Sequence, residues 1–242
     1  MTEASPSQLA RMAGGLYLIN IVLGFFAIGF VPASILVAGD AAATAHNIQT
    51  HELLYRSGVV AHIVVTLTNV PLAVLFYELF RVVNRRLALL DVFFILVATA
   101  IEAAGLFNEF APLVLLGSAS YTSALTTAQL QALAYMPGAL SQINYTIYTV
   151  FYGFDIIILG YLVLRSTFLP RAIGVLLAID GLAYLFYGFA DLLAPPFAAH
   201  LIPWIQAPAL FGEGSLCLWL LIAGVNVRRW NERAAATTSR LD

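Results

Sequence analysis

The stretch LGYLVLRSTFLPRAIGVLLAIDGLAYL, residues 159–185, decides the fold of this chain. It contains two apolar runs separated by a short polar turn, and an arginine stands on each side of that turn, Arg165 and Arg171. Each run continues beyond the stretch to the length of about 20 residues that a helix needs to cross a bilayer. The stretch therefore predicts two membrane-spanning helices joined by a tight turn at one membrane surface.

The composition extends this prediction to the whole chain of 242 residues. Apolar residues make up 61% of the chain and charged residues 10%, whereas about 25% of a soluble domain is charged. A soluble domain of this size cannot bury so much apolar surface. Six segments are long and apolar enough to span a membrane, namely Met12–Ala38, Leu53–Phe80, Ala88–Gly117, Ser141–Leu164, Arg171–Leu193 and Trp204–Val227. We predict an all-α polytopic membrane protein with one six-helix transmembrane domain over residues 11–230, between tails at 1–10 and 231–242.

The distribution of arginines predicts the orientation. Ten of the eleven arginines precede the first span, lie between spans two and three or four and five, or follow the last span; only Arg56 lies on the other side. Loops rich in arginine stay in the cytoplasm. Both termini are therefore predicted to be cytoplasmic.

Charge and cysteine content exclude several function classes. The chain has no lysine, which excludes Schiff-base cofactors and a P-loop lysine. Its one cysteine, Cys217, excludes an internal disulfide and a cysteine-built metal cluster. A net charge of −2 gives no basic patch for nucleic acid. We expect no cofactor and no nucleic-acid partner; the expected partners are the lipid bilayer and a lipophilic small molecule.

Two segments outside the spans predict surface helices. Residues 39–52 are polar and rich in alanine, and Asp40 is suited to cap a helix there. Thr126–Tyr135 carries leucines at helical spacing after a polar start, which is typical of an amphipathic helix on the outer leaflet.

Acidic residues inside the predicted spans are the main functional signal. A carboxylate at the centre of a bilayer costs roughly 2.5–3.5 kcal/mol, so these side chains must face the bundle interior, water or one another. Three of them, Glu78, Asp91 and Asp191, lie near span ends, and the first two are explained by snorkelling to the membrane surface or by pairing with the arginines at 81, 85 and 86. The other five are the candidate catalytic residues: Glu213, Asp180, Asp155, Glu109 and Glu102.

Polar and aromatic residues recur on the same helix faces as these acids, at steps of three, four and seven residues. Those predicted to bind a substrate within the spans are His62, Asn69, Tyr148, Tyr152, Tyr184 and Tyr187. Counted from the outer ends of the spans, His62, Glu109 and Glu213 lie at one depth, and the remaining acids lie nearer the midplane. The pattern predicts an acidic cavity in two layers that opens towards the outer leaflet.

Three functions suit such a cavity. A neutral carboxylic acid beside an ionised one can perform acid–base chemistry on a lipophilic substrate, as an isomerase or cyclase does. The same groups suit a proton relay in a proton-coupled transporter of small amphiphiles. They also suit hydrogen bonding between the helices of a sensory or accessory protein. The enzyme is the leading interpretation and the transporter its main alternative.

Two sites leave alternatives open. His62, Glu109 and Glu213 could bind a divalent metal ion, although a histidine among helices is more often a hydrogen-bonded core residue, and we expect no metal. Arg56 either contacts an anionic headgroup of a substrate or pairs with Asp40 or Glu52 at the membrane surface.

Four motifs carry a resemblance to a known family. These are GDAAATAHNI at 39–48, LLYRSGV at 53–59, the stretch at 159–185 and GEGSLCLWLLIAGV at 212–225. From about Arg11 to Val227 the chain resembles the bacterial domain-of-unknown-function 4386 family. The resemblance implies a six-span protein of the bacterial cytoplasmic (inner) membrane and brings no assigned reaction. Among the motif positions, Glu213 is also an acid deep in a span, and it is therefore the first choice for a functional residue.

Overall fold

Helices form every regular element in the part of the chain that the structure describes, residues 5–117 and 120–238 of a computed structural model. They are α1 (Pro6–Gly24), α2 (Val31–Ile35), α3 (Ala41–Thr50), α4 (Glu52–Phe80), α5 (Arg85–Leu115), α6 (Thr127–Arg165), α7 (Arg171–Leu193), α8 (Pro195–Leu201), α9 (Ala207–Ile222) and α10 (Val227–Thr238). A π-helical segment, Phe25–Phe30, joins α1 to α2, and short 3-10 turns cover Ser120–Ala124 and Trp204–Gln206.

Six of these helical segments are long and apolar enough to cross a membrane: Pro6–Ile35, Glu52–Phe80, Arg85–Leu115, Thr127–Arg165, Arg171–Leu193 and Trp204–Ile222. Large apolar side chains are exposed on them, among them Phe25, Phe107 and Ile222. Such a surface is typical of contact with lipid. The predicted all-α fold with six membrane spans is confirmed; the cytoplasmic position of the termini stays a prediction.

The first surface helix is confirmed. Asp40 caps α3, since its Oδ1 accepts a hydrogen bond of 2.8 Å from the backbone N–H of Ala43. A side-chain cap of this kind satisfies one of the backbone donors that the first helical turn leaves unpaired.

The prediction of a second, separate surface helix at Thr126–Tyr135 is wrong. Thr126 and Gln129 form reciprocal side-chain bonds to each other's backbone N–H, which start a helix at the predicted place. This helix, α6, then continues through Pro137 for 39 residues and includes the predicted fourth span. A proline removes only one backbone donor, and membrane helices tolerate it.

The last span is shorter than predicted. Gly224 has a φ of +67°, and its N–H bonds to the carbonyl of Trp219. This left-handed glycine ends the helix. A further helix, α10, follows, which the sequence did not predict; Trp230 on α10 donates its indole N–H to the carbonyl of Leu79 at 3.0 Å.

The helices form two compact units that alternate along the chain. Unit one comprises Met1–Ile19, Thr68–Thr99 and Thr146–Asp242, and unit two comprises Asn20–Leu67 and Ala100–Tyr145. Each unit combines parts of several spans, and each contains its own cluster of buried polar side chains.

Close contact between α6 and α7 organises unit one. Five glycines line this contact, namely Gly153, Gly160, Gly174, Gly181 and Gly188. A Cβ atom added at Gly181 would lie 2.7 Å from the carbonyl oxygen of Gly153, so a larger residue does not fit. Small residues allow membrane helices to approach closely. In unit two, Val31, Ile35 and Ile48 form an apolar core.

Candidate functional site

Glu213 on α9 is the centre of a hydrogen-bonded cluster in unit one. Its Oε2 accepts hydrogen bonds from the hydroxyls of Tyr17 and Tyr152, each at 2.7 Å, and its Oε1 accepts one from Tyr184 at 3.1 Å. The three tyrosines lie on α1, α6 and α7, and Glu213 is buried. Four helices therefore meet at one carboxyl group.

The tyrosine rings pack against one another behind these hydroxyls. Tyr148 and Tyr152 are stacked with ring centroids 5.2 Å apart, and the edge of one ring meets the face of the other between Tyr152 and Tyr184, also at 5.2 Å. Tyr187 is buried on α7, one turn beyond Tyr184. The cluster thus joins a carboxyl group to an aromatic layer.

Asp180 lies beside this cluster and is 1% exposed. A Cβ atom added at Gly212, the residue before Glu213, would lie 3.2 Å from Oδ2 of Asp180. This Oδ2 is buried and has no hydrogen-bond partner among the described residues. A buried carboxyl oxygen without a partner is costly, so its presence calls for an explanation.

The predicted pairing of Asp91 with a surface arginine is wrong. Asp91 is 3% exposed and shares a hydrogen bond with Asp155, which is also buried, instead of pairing with a surface arginine. Two carboxyl groups can share a hydrogen bond only if one of them carries a proton. The second oxygen of Asp91, Oδ1, has no partner in the described part of the chain.

The other two acids near span ends have local partners. Glu78 forms an ion pair with Arg81, whose Nε lies 2.8 Å from Oε2 of Glu78, as the sequence predicts. Asp191 accepts a hydrogen bond from the hydroxyl of Thr146. Neither group is a candidate for chemistry.

The buried polar cluster of unit two is a row of three side chains, Glu109–His62–Glu102. Nδ1 of His62 lies 2.7 Å from Oε1 of Glu109, and Nε2 lies 3.1 Å from Oε1 of Glu102. The predicted common face of the two glutamates on α5 is confirmed, because one imidazole on α4 contacts both. The exposed fraction of the side chain is 25% for Glu109 and 6% for Glu102.

This arrangement is unsuited to a metal ion. The two nitrogens of an imidazole point in opposite directions, so a single ion cannot contact both glutamates and the ring between them. No three His, Cys, Asp or Glu side chains within residues 5–117 and 120–238 are placed to hold a metal.

The structure places the remaining predicted residues as follows. Arg56 is exposed, and its Nε donates to Oε1 of Glu52 at 2.7 Å, so the surface pair is formed. Asn69 is buried on α4, in unit one. Unit one holds Glu213, Asp180, Asp155, Asn69, Tyr148, Tyr152, Tyr184 and Tyr187, and unit two holds Glu109, Glu102, His62 and Arg56. A single cavity shared by all of them stays a prediction.

Two members of these clusters, Tyr17 and Asp91, were not predicted from the sequence. Tyr17 lies in the run LYLINIVL, which contains no acid and only one other polar residue, Asn20, so no polar face with an acid on it identified Tyr17. The available signal was its depth in the span, because a buried tyrosine hydroxyl needs a hydrogen-bond partner.

The buried acids and the six apolar spans define a polytopic integral membrane protein with ionisable groups buried among its helices. The chain belongs to the family described as Domain of unknown function (DUF4386), which matches residues 12–224. No curated protein and no solved structure matches the chain. The resemblance predicted from the four motifs is confirmed, and the interpretation of function depends on the geometry of the two clusters.

Proposed function

We propose that this protein is a proton-coupled transporter of small amphiphiles in the bacterial cytoplasmic membrane, with both termini in the cytoplasm. The observation that carries the proposal is the row Glu109–His62–Glu102. It joins a partly exposed carboxyl group to a buried one through an imidazole that is hydrogen-bonded at both nitrogens. Chains of Asp, Glu and His within membrane spans are typical of proton relays in pumps and transporters.

The row can move a proton without moving its heavy atoms. With two protons available, one arrangement has both on the imidazole and leaves Glu102 and Glu109 ionised. In the other, one of these protons lies on a glutamate and His62 is neutral. An imidazole takes up a proton at one nitrogen and releases one from the other. A proton received by Glu109 thus reaches Glu102, at the buried end of the row.

Proton-coupled transport also requires groups that can bind either a proton or the substrate, and the acids of unit one are such groups. Four of them are buried, namely Asp91, Asp155, Asp180 and Glu213, and no arginine in the described ranges is buried. Ionised acids in a low-dielectric interior need a compensating charge. Protons or a cationic substrate can each supply it, and the exchange of one for the other is the elementary step of coupled transport.

A second candidate function is acid–base catalysis on a lipophilic substrate. It is favoured by Asp180, whose unpartnered oxygen lies beside Gly212, the residue before Glu213. One of these carboxyl groups would donate a proton and the other would accept one. This candidate requires no vectorial movement of protons, and the transport experiment therefore separates the two.

The transport proposal predicts that an amphiphile collapses a pH gradient across proteoliposomes containing the wild-type protein. The vesicles are acidic inside and contain a pH-sensitive dye, and tetraphenylphosphonium, ethidium and cholate are added outside in turn. The rate of gradient collapse is the readout. His62→Gln is expected to slow it about 100-fold, because positioned proton-transfer groups typically contribute that much.

His200→Gln is the matched control, since His200 is an exposed histidine outside both clusters. It should behave as the wild type does. The proposal is overturned if none of the three amphiphiles collapses the gradient, or if His62→Gln and His200→Gln collapse it equally fast.

A further inference from the structure

We propose that Glu213, Asp180 and the surrounding tyrosines form a binding site for a monovalent organic cation, an ammonium or phosphonium with apolar substituents. The inference names the substrate class of the proposed transporter, and in that respect it rests on that function. It is carried by a different cluster, in unit one.

The charge of the cluster indicates a cation. Glu213 and Asp180 are electrostatic neighbours, and both are buried. None of the arginines that the structure describes lies among the buried residues. A positive charge bound between the two carboxyl groups would supply the compensation that the protein itself does not.

The position of the cation is indicated by Asp180. Its Oδ2 is a buried acceptor without a hydrogen-bond partner among the described residues, and it lies next to Gly212, the residue before Glu213. The acceptors of Glu213 are already engaged by Tyr17, Tyr152 and Tyr184. The cation would therefore contact Oδ2 of Asp180 directly and interact with Glu213 at longer range.

The oxygen count argues against a metal ion here. Ca²⁺ takes about 6–8 oxygen ligands and Mg²⁺ about six, whereas Asp180 offers one unpartnered oxygen. An organic cation needs no such shell of oxygen ligands, because apolar substituents surround its charged atom.

The aromatic layer fits an organic cation. Tyr148, Tyr152 and Tyr184 lie within one connected set of ring contacts, and the hydroxyls of two of them hold Glu213. Faces of aromatic rings attract quaternary ammonium groups and similar ions. On binding, the monovalent cation replaces one proton held by a carboxyl group, and this proton passes to water, so the charge of the site is conserved.

Equilibrium binding of tetraphenylphosphonium to the purified full chain in detergent tests the inference. Tetraphenylborate has the same shape and the opposite charge, and it serves as the parallel probe. Tetraphenylphosphonium is expected to bind and tetraphenylborate is not. Asp180→Asn and Glu213→Gln should each weaken binding about 30-fold or more, as truncation of one partner in a buried charge pair does.

Glu78→Gln is the matched control, since it removes a partly exposed acid of the same unit that is paired with Arg81; it should leave affinity unchanged. Tyr184→Phe keeps the ring and should retain most of the affinity, whereas Tyr184→Leu should lose it. Equal binding of both tetraphenyl ions, no binding of tetraphenylphosphonium, or unchanged affinity in folded Asp180→Asn and Glu213→Gln would each overturn the site.

Binding is measured without a pH gradient, so its outcome is separate from that of the transport experiment. Binding without transport would leave the cation site standing and remove the transporter. Transport of another amphiphile without binding of tetraphenylphosphonium would leave the transporter standing and remove the cation site.

Discussion

Replacement of His62 by alanine is expected to lower the free energy of unfolding by about 3–5 kcal/mol, the usual effect of removing one partner from a buried charged pair. His62 is hydrogen-bonded to Glu102 and Glu109 at the same time. Without the imidazole, two acidic side chains on one face of α5 lose their shared partner and repel each other if both are ionised. Thermal unfolding in detergent measures the loss.

Removal of the acids should restore stability. The triple variant His62→Ala, Glu102→Gln, Glu109→Gln replaces both acids by neutral amides, and it is expected to be more stable than His62→Ala alone. Such non-additivity is characteristic of residues in direct contact. His200→Ala is the control. Equal stability of His62→Ala and His200→Ala would show that the row Glu109–His62–Glu102 contributes nothing to folding.

Replacement of Glu213 by alanine has the second large expected effect, a loss of about 2–5 kcal/mol. The carboxyl group accepts hydrogen bonds from three tyrosines on three other helices. Measured hydrogen bonds between membrane helices are worth about 0.6–1.7 kcal/mol each, and three of them are lost together. The readout is again unfolding in detergent.

Single Tyr→Phe variants measure how much stability one of these hydrogen bonds contributes. Each of Tyr17→Phe, Tyr152→Phe and Tyr184→Phe removes one donor and should cost about a third as much as Glu213→Ala. A variant that combines Glu213→Leu with all three phenylalanines leaves no polar group unpaired and should regain much of the stability. If Glu213→Ala costs no more than one Tyr→Phe change, the carboxyl group is not the centre of the cluster.

Hydropathy determines the part of the fold that the sequence predicts well. An apolar run of the required length has one stable solution in lipid, a helix, because every backbone polar group must be paired within it. The stretch at 159–185 therefore defines two spans correctly. The long helix α6 escaped prediction because polar Thr127–Tyr135 and apolar 141–164 differ in composition, whereas helix continuity depends on backbone hydrogen bonds.

The sequence predicts which candidate-site residues share a face of one helix, but not which residues of different helices are in contact. Spacing along α5 places Glu102 and Glu109 on one face, and a shared contact with His62 confirms it. Contacts between helices depend on packing, which periodicity does not encode. This is why Asp91 was assigned to surface arginines although it lies against Asp155, and why Tyr17 was missed as a partner of Glu213.

Exchangeable protons on membrane-buried carboxyl groups are common to both proposals, and infrared difference spectroscopy of the protein in lipid measures them most directly. Protonated and ionised carboxyl groups absorb infrared light at different frequencies. We expect bands of protonated carboxyl groups that shift in D₂O, change with the pH of the bathing solution, and are altered in Glu102→Gln and Asp180→Asn. Carboxyl bands that respond neither to D₂O nor to pH would show that these groups are sealed structural contacts, and would contradict both the proton relay and the cation site.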